Sequence, residues 1–238
     1  MLVWDALTMD PSSVAVLDTH VGAARLAPYL SRYQGNRDLA LRLHAWNAEL
    51  ATAFWGPIGL LEISLRNSMH TVLGRGREPN WWDFSHHVQL APYGAKAITR
   101  TLDKLAAARN YNPTADDVVA ATSMGFWVGL LDVGVPRDPY MDYETALWAP
   151  RLKDAFPYRA ALGRKQIHTR LNRVRVFRNR IAHHEPIYNK RPIETRDLIL
   201  ECLGFLHPEL ADYVRSSHRI DEVLARQQAA VADGDCRL

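Results

Sequence analysis

Apolar residues recur along this chain at helical spacing nearly everywhere. From Val21 to Tyr33 they return every three to four positions, and Gly35-Asn36 breaks the run. Leu39, Leu43, Trp46 and Leu50 then fall at i, i+4, i+7 and i+11, one face of a helix. Pro57 predicts a boundary or kink, since proline has no N–H to donate; a second helix is expected from about Ile58 to Leu73. Gly74 to Asn80 reads as a loop, anchored by Trp81-Trp82-Asp83-Phe84. A helix follows from about Tyr93 to Arg109. Thr114 with Asp117 has the form of a capping box opening a helix through Phe126 and Trp127 to Asp132. Val133 to Asp142 is the best internal boundary, yet too short and apolar for a flexible linker. Further helices are expected over Glu144–Ala155, Arg159–His184, Thr195–Leu206 and Pro208–Ala230, with a frayed tail at about 231–238. Strand signals are few and short, and no repeat appears. The pattern predicts an all-α fold, a helical bundle forming a single domain over residues 1–238.

Composition adds little to this picture. A chain of 238 residues with 47% hydrophobic content can bury a core and is too apolar for disorder. Two cysteines, Cys202 and Cys236, supply neither a disulfide framework nor metal-ligand spacing. The opening residues carry no basic stretch ahead of an apolar one, so they do not read as a signal peptide. Only two residues follow Cys236, so no prenylation box is expected. The most apolar region, Ala48 to Leu65, contains Glu49, Gly56, Pro57 and Glu62 and is expected to be a buried helix, not a membrane span. We therefore expect a soluble cytoplasmic protein with no membrane partner.

Charge distribution changes the picture more. The net charge is only +3, but between Arg164 and Arg180 seven residues are Lys or Arg and none is acidic. Such a block draws an anionic partner. Within it, Ile167, Leu171, Val174, Arg178 and Ile181 step by 4, 3, 4 and 3 and form one stripe. Arg178 thus occupies a core-like position, where a guanidinium must be paired, hydrogen-bonded or at an interface. Pro186 disfavours helix at Glu185, which places His183 and His184 in the last turn, where the helix C-terminus favours a protonated imidazole.

The string Arg178-Asn179-Arg180-Ile181-Ala182-His183, extended to FRNRIAHHEPI, resembles the Arg, polar, spacer, His motif of the HEPN superfamily, in particular its Abi-like (abortive infection) members. Leu61-Glu62-Ile63-Ser64-Leu65-Arg66-Asn67 is similar to the family's upstream helix, as are Trp46-Asn47 and Gly125-Phe126-Trp127; the resemblance spans roughly Leu26 to Phe205. It implies a HEPN-like bundle with additional helices and metal-independent RNA cleavage without a cofactor, in phage defence or as a toxin.

The residue types suit that chemistry. RNA carries its own nucleophile, the 2′-hydroxyl, beside each phosphodiester. His183 can act as general base or acid near neutral pH. Arg178 offers an always-charged, bidentate donor to the phosphorane. Asn179 can orient His183 or the phosphate. Products would be a 2′,3′-cyclic phosphate and a 5′-hydroxyl. His184 also fits the family's spacing, although the pattern normally sets its key His directly after Ala182, which favours His183. Arg170, Arg173, Arg175 and Arg180 are candidate phosphate contacts. Glu62, Arg66 and Asn67 are candidate supporting residues: Glu62 either holds Arg178 in its working rotamer or forms a structural ion pair, at i, i+4 with Arg66.

One difficulty is geometric. Residues five apart on a regular helix point about 140° from each other. Arg178 and His183 of one chain converge only if the helix end distorts, or a homodimer unites motifs from two chains in one composite site, as in similar HEPN proteins. No metal site is expected, because neighbours such as His183-His184 or His86-His87 point apart and lack a third ligand. Two competing readings remain: a non-catalytic RNA-binding or dimerisation module, and a toxin with an antitoxin or regulatory RNA. For a partner that modifies a tyrosine in a His-x-Tyr position, Tyr188 is misplaced.

Overall fold

The computed structural model describes residues 15–16, 19–83, 88–109 and 113–237. Phe84, His86, His87 and the opening residues 1–14 lie outside the described residues. The fold is all-α. Among the described residues every regular element is helical, and the one extended pairing is an isolated antiparallel bridge between Gly134 and Asp142. No described helix is long and apolar enough to cross a membrane.

The helices are α1 (Ala23–Arg32), α2 (Arg37–Gly74), α3 (Pro92–Arg109), α4 (Ala115–Ala121), α5 (Met124–Gly129), α6 (Arg164–Ala182), α7 (Pro192–Leu206), α8 (Pro208–Ser217), α9 (Ile220–Ala225) and α10 (Gln227–Asp233). Between α5 and α6 lie a π-helical turn (Glu144–Trp148) and a 3-10 turn (Leu152–Ala155). The residues group into two compact units: Met1–Ile58, Val176–Asp197 and Ser216–Leu238 form the first, and Gly59–Arg175 with Leu198–Arg215 the second.

Several expected boundaries are corrected. Pro57 does not end a helix: α2 runs unbroken for 38 residues through it. The lost N–H costs one intrahelical bond, and burial of Phe54, Pro57, Ile58 and Leu61 offsets it. A boundary does fall there, but between the two units, which divide at Ile58. The helix expected from Thr114 to Asp132 is two. Its capping box is present, with the Thr114 hydroxyl accepting the Asp117 N–H and the Asp117 carboxylate accepting the Thr114 N–H. Thr122 then turns extended; its buried hydroxyl donates to the Val119 carbonyl and accepts the Trp127 indole N–H, so the backbone restarts at Met124.

The expected helix at Glu144–Ala155 is instead the pair of short irregular turns. The motif helix begins at Arg164, not Arg159, because the Gln166 side chain accepts the Gly163 N–H at 2.7 Å and closes the first turn there. The long helix expected over Pro208–Ala230 is three, each restarting at its own cap. The His207 and His218 Nδ1 atoms accept the N–H of Glu209 and Ile220, while Arg226 divides α9 from α10. The tail is tied down: Glu49, 3% exposed, pairs with Arg226 and accepts the Arg237 N–H at 3.1 Å, and Arg42 donates to the Ala232 carbonyl.

In the first unit the core gathers Leu26, Tyr29, Leu43, Trp46, Leu50 and Phe54 with Phe177, Ile181 and Ile187. Phe54 meets Phe177 edge-on at 4.9 Å, and the Trp46 indole donates to the Val223 carbonyl at 2.9 Å. In the second, Trp81, Trp127, Leu130, Leu131, Leu152 and Phe156 are buried, and the Trp81 indole donates to His70 Nδ1 at 2.9 Å.

Candidate functional site

The end of α6 departs from helix geometry in a defined way. His184 takes a left-handed conformation, φ 54°, the Glu185 N–H reaches back to the Arg180 carbonyl at 2.8 Å, and the His184 N–H to that of Ile181 at 3.0 Å. This is a Schellman close with histidine where glycine is usual. A left-handed non-glycine residue costs about 1–2 kcal/mol, so neighbours must hold it. The Arg180 guanidinium pairs with the Glu185 carboxylate at 2.9 Å. From α1, one Arg25 nitrogen donates to the carbonyls of both His183 and His184, at 3.2 and 3.3 Å, where the helix presents partial negative charge. Downstream, the Asn47 amide oxygen of α2 accepts the N–H of Ile187 and Tyr188 at 2.8 and 3.0 Å, and the Tyr188 hydroxyl donates to the Pro28 carbonyl at 3.1 Å. Asn47 is 5% exposed, so its polarity serves this pinning.

The pinned bend closes a cavity of about 820 Å³ within the first unit, inside the range of small-ligand sites. Arg178, Ile181 and His184 line it from the motif segment; His44, Asn47 and Trp55 line it from α2, and Arg25 from α1. His44, Asn47, Ala48, Ala51, Thr52 and Trp55 share one face of α2 by their spacing. The Arg178 guanidinium lies over the Trp55 ring, 5.3 Å from its centroid, a favourable cation–π contact. Trp55 remains 47% exposed, high for a tryptophan. Three imidazoles (His20, His44, His184) and two guanidiniums face one carboxylate, that of Glu185. The lining therefore favours anions.

The half-buried His44 is held below the ordinary imidazole range, by burial first and then by the charge of Arg25 and of His184. It stays neutral near pH 7. Spacing gave no sign of it, because His44 lies 134 positions before Arg178.

The other expected residues are distributed differently. His183 is exposed and is not among the side chains lining this cavity. The half-buried Asn179 offers its backbone carbonyl to the His183 N–H at 3.0 Å. Arg170 pairs with Glu201 at 3.0 Å, Arg175 bonds the Asn172 side chain at 2.9 Å and lines a different cavity, and Arg173 is exposed. Glu62 and Arg66 hold the ends of short helices in the second unit. The Glu62 carboxylate accepts the Met124 N–H at 3.0 Å where α5 begins, and the Arg66 guanidinium donates to the Ala120 carbonyl at 2.7 Å where α4 ends. Each charge has the sign that suits its helix end. Asn67 is exposed. Among the described residues no group of three or more His, Cys, Asp or Glu is placed to hold a metal ion.

No protein-family model, curated protein or solved structure matches this chain.

Proposed function

We propose that the chain is a metal-independent endoribonuclease of the HEPN type, acting in phage defence or as a toxin, with its reaction centre in the cavity closed by the end of α6. The observation that supports this most is the lining of one cavity by Arg178 of the motif, the imidazoles of His44 and His184, and a half-exposed indole. An RNA dinucleotide needs each of them. Trp55 offers a stacking surface to a base. Arg178 faces the phosphate, where its fixed charge stabilises the equatorial oxygens as negative charge gathers. His44, neutral near pH 7, accepts the 2′-hydroxyl proton. The O2′–P bond forms as the P–O5′ bond breaks, and His184 gives its proton to the departing 5′ oxygen. The products are a 2′,3′-cyclic phosphate and a 5′-hydroxyl.

In this account the distorted helix end answers the geometric difficulty of the motif spacing. His184, left-handed and past the last turn, reaches the cavity of Arg178 as a regular helix would not allow. His183 enters the reaction only across a two-fold axis, from a second copy of the chain. Activity that falls steeply on dilution, with sedimentation shifting from dimer to monomer over the same range, supports that composite site. Full activity of a dilute monomer removes His183 and the homodimer from the mechanism.

Purified protein incubated with total RNA in EDTA should give fragments whose 3′ ends are cyclic phosphates, and Arg178→Ala should abolish them. The competing reading is a non-catalytic RNA-binding or dimerisation module. It predicts RNA retained on the protein with its ends intact. Growth arrest on induced expression, relieved by a neighbouring gene product or by RNA, would identify an antitoxin or regulatory RNA as partner.

A further inference from the structure

The second unit holds a cavity of its own, of about 500 Å³, which the ribonuclease reading does not use. Its chemistry is built by three layers. The α6 side chains His168, Asn172 and Arg175 fall at i, i+4 and i+7 and present one polar edge. Beside them α5 contributes Gly125 and Gly129, whose bare backbone lies next to Tyr93. A β-carbon on Gly129 would stand 3.7 Å from the Tyr93 ring, and one on Gly125 would stand 3.9 Å from both the Tyr93 hydroxyl and the Arg175 δ-carbon. The tyrosine ring thus lies beside the bare backbone of α5 and lines the same cavity as the arginine, yet Tyr93 is 70% exposed. An exposed ring held at a cavity's edge is available for stacking.

The third layer is polar. Tyr143, 2% exposed, accepts the Ala91 N–H at 2.7 Å through its hydroxyl oxygen and keeps a proton to donate. Asp132 adds an exposed carboxylate. Among the described residues neither ring nitrogen of His168 has a hydrogen-bond partner. Burial first, then the charges of Arg164 and Arg175, hold this imidazole below its ordinary range against the pull of Asp132. A neutral imidazole both donates and accepts, so it pairs with heterocycle or sugar edges as well as with an anion. The tyrosine-on-glycine arrangement alone would be simple packing. The guanidinium, amide, imidazole and carboxylate around the same opening give it a ligand's donor and acceptor pattern.

We propose that this cavity binds a small planar aromatic anion of mononucleotide size, its ring on Tyr93, its anionic group on Arg175, and its polar edge toward His168 and Asp132. The site is separate from the cavity of Arg178 and His184, so it would serve as a regulatory or second ligand site and stands whether or not the chain cleaves RNA.

Calorimetric titration of the full chain with adenosine 5′-monophosphate, adenosine and inorganic phosphate tests this. The monophosphate should saturate, and each half-ligand should bind at least about tenfold more weakly, as expected when stacking and a charge-assisted contact each contribute a decade. Arg175→Ala and Tyr93→Ala should each weaken the monophosphate by roughly tenfold or more. Tyr93→Phe, which keeps the ring, should bind as the parent does. Tyr93 is exposed, so its variants fold, and an unchanged helical circular dichroism spectrum checks Arg175→Ala. No saturable binding up to about 5 mM, binding that both alanine variants leave unchanged, or phosphate alone binding as tightly as the nucleotide would each overturn the proposal.

Discussion

Replacing Asn47 by alanine should loosen the end of the motif without touching the motif itself. The Asn47 oxygen is the acceptor for two consecutive backbone N–H groups, those of Ile187 and Tyr188, at 2.8 and 3.0 Å. Ile187 is 0% exposed, so its N–H would be left without water or protein partner, at about 1–3 kcal/mol; the half-buried Tyr188 can turn to water and loses only about 0.5–1.5 kcal/mol. The sum is roughly 1.5–4.5 kcal/mol, concentrated on the segment that carries His184 and Glu185. Hydrogen exchange read by mass spectrometry should then show the amides of this segment exchanging roughly tenfold faster or more, since each 1.4 kcal/mol is a factor of ten. Asn47→Asp retains an acceptor, near the positive charges of Arg25 and Arg178, and should keep most of the protection. Equal exchange in Asn47→Ala and the parent would refute the pinning, and with it the idea that α2 sets the position of His184.

Three further outcomes follow from the same geometry. His184→Gly should raise stability by about 0.5–1 kcal/mol, because glycine takes φ 54° without strain, while ribonuclease activity is lost; a loss of stability would mean that the imidazole is structural. Glu62→Ala should cost about 1–2 kcal/mol by uncapping the buried Met124 N–H, and Glu62→Gln should recover most of it with activity intact; abolished cleavage in the glutamine variant would make Glu62 a positioning residue for the reaction. His44, His70 and His168 are all depressed by burial. Their neutral forms are favoured in the folded state, so the stability they confer is present above the unfolded-state value near 6.5 and is lost as pH falls below it. Urea midpoints should fall between pH 7 and pH 6, where carboxylates do not yet titrate, and a flat profile would count against the burial of these imidazoles.

Helical periodicity exposed most of the architecture because each amphipathic segment repeats its apolar face locally. The stripe Ile167, Leu171, Val174 and Ile181 is buried as its spacing implied, and Arg178 sits half-buried beside it. Phe177, one position off that stripe, is buried as well, on Phe54, which turns the guanidinium toward the edge of the core and Trp55. Helix ends were less legible. Thr122, Gln166 and His218 stop or start helices through side-chain bonds that compete with the intrahelical ladder, and nothing in the periodicity marks them. At the site, the motif pointed to Arg178 and, of its two histidines, favoured His183, whereas His184 is the one that lines the cavity of Arg178. That placement depends on the left-handed bend at His184, which Arg25 and Asn47 hold from distant parts of the chain. His44 was hidden for the same reason. Its place in the cavity comes from a shared helix face with Trp55, which adjacency in sequence does not reveal.

Ribonuclease assays of His184→Ala, His183→Ala and Arg178→Ala on one RNA, in EDTA, with the 3′ ends mapped, bear most directly on the central claim. The parent protein should give 2′,3′-cyclic phosphate ends, while Arg178→Ala and His184→Ala should each lose cleavage by about 100-fold or more and still bind uncut RNA. Parent-like cleavage by either of those two variants, or a parent protein that leaves every phosphodiester intact, would contradict it.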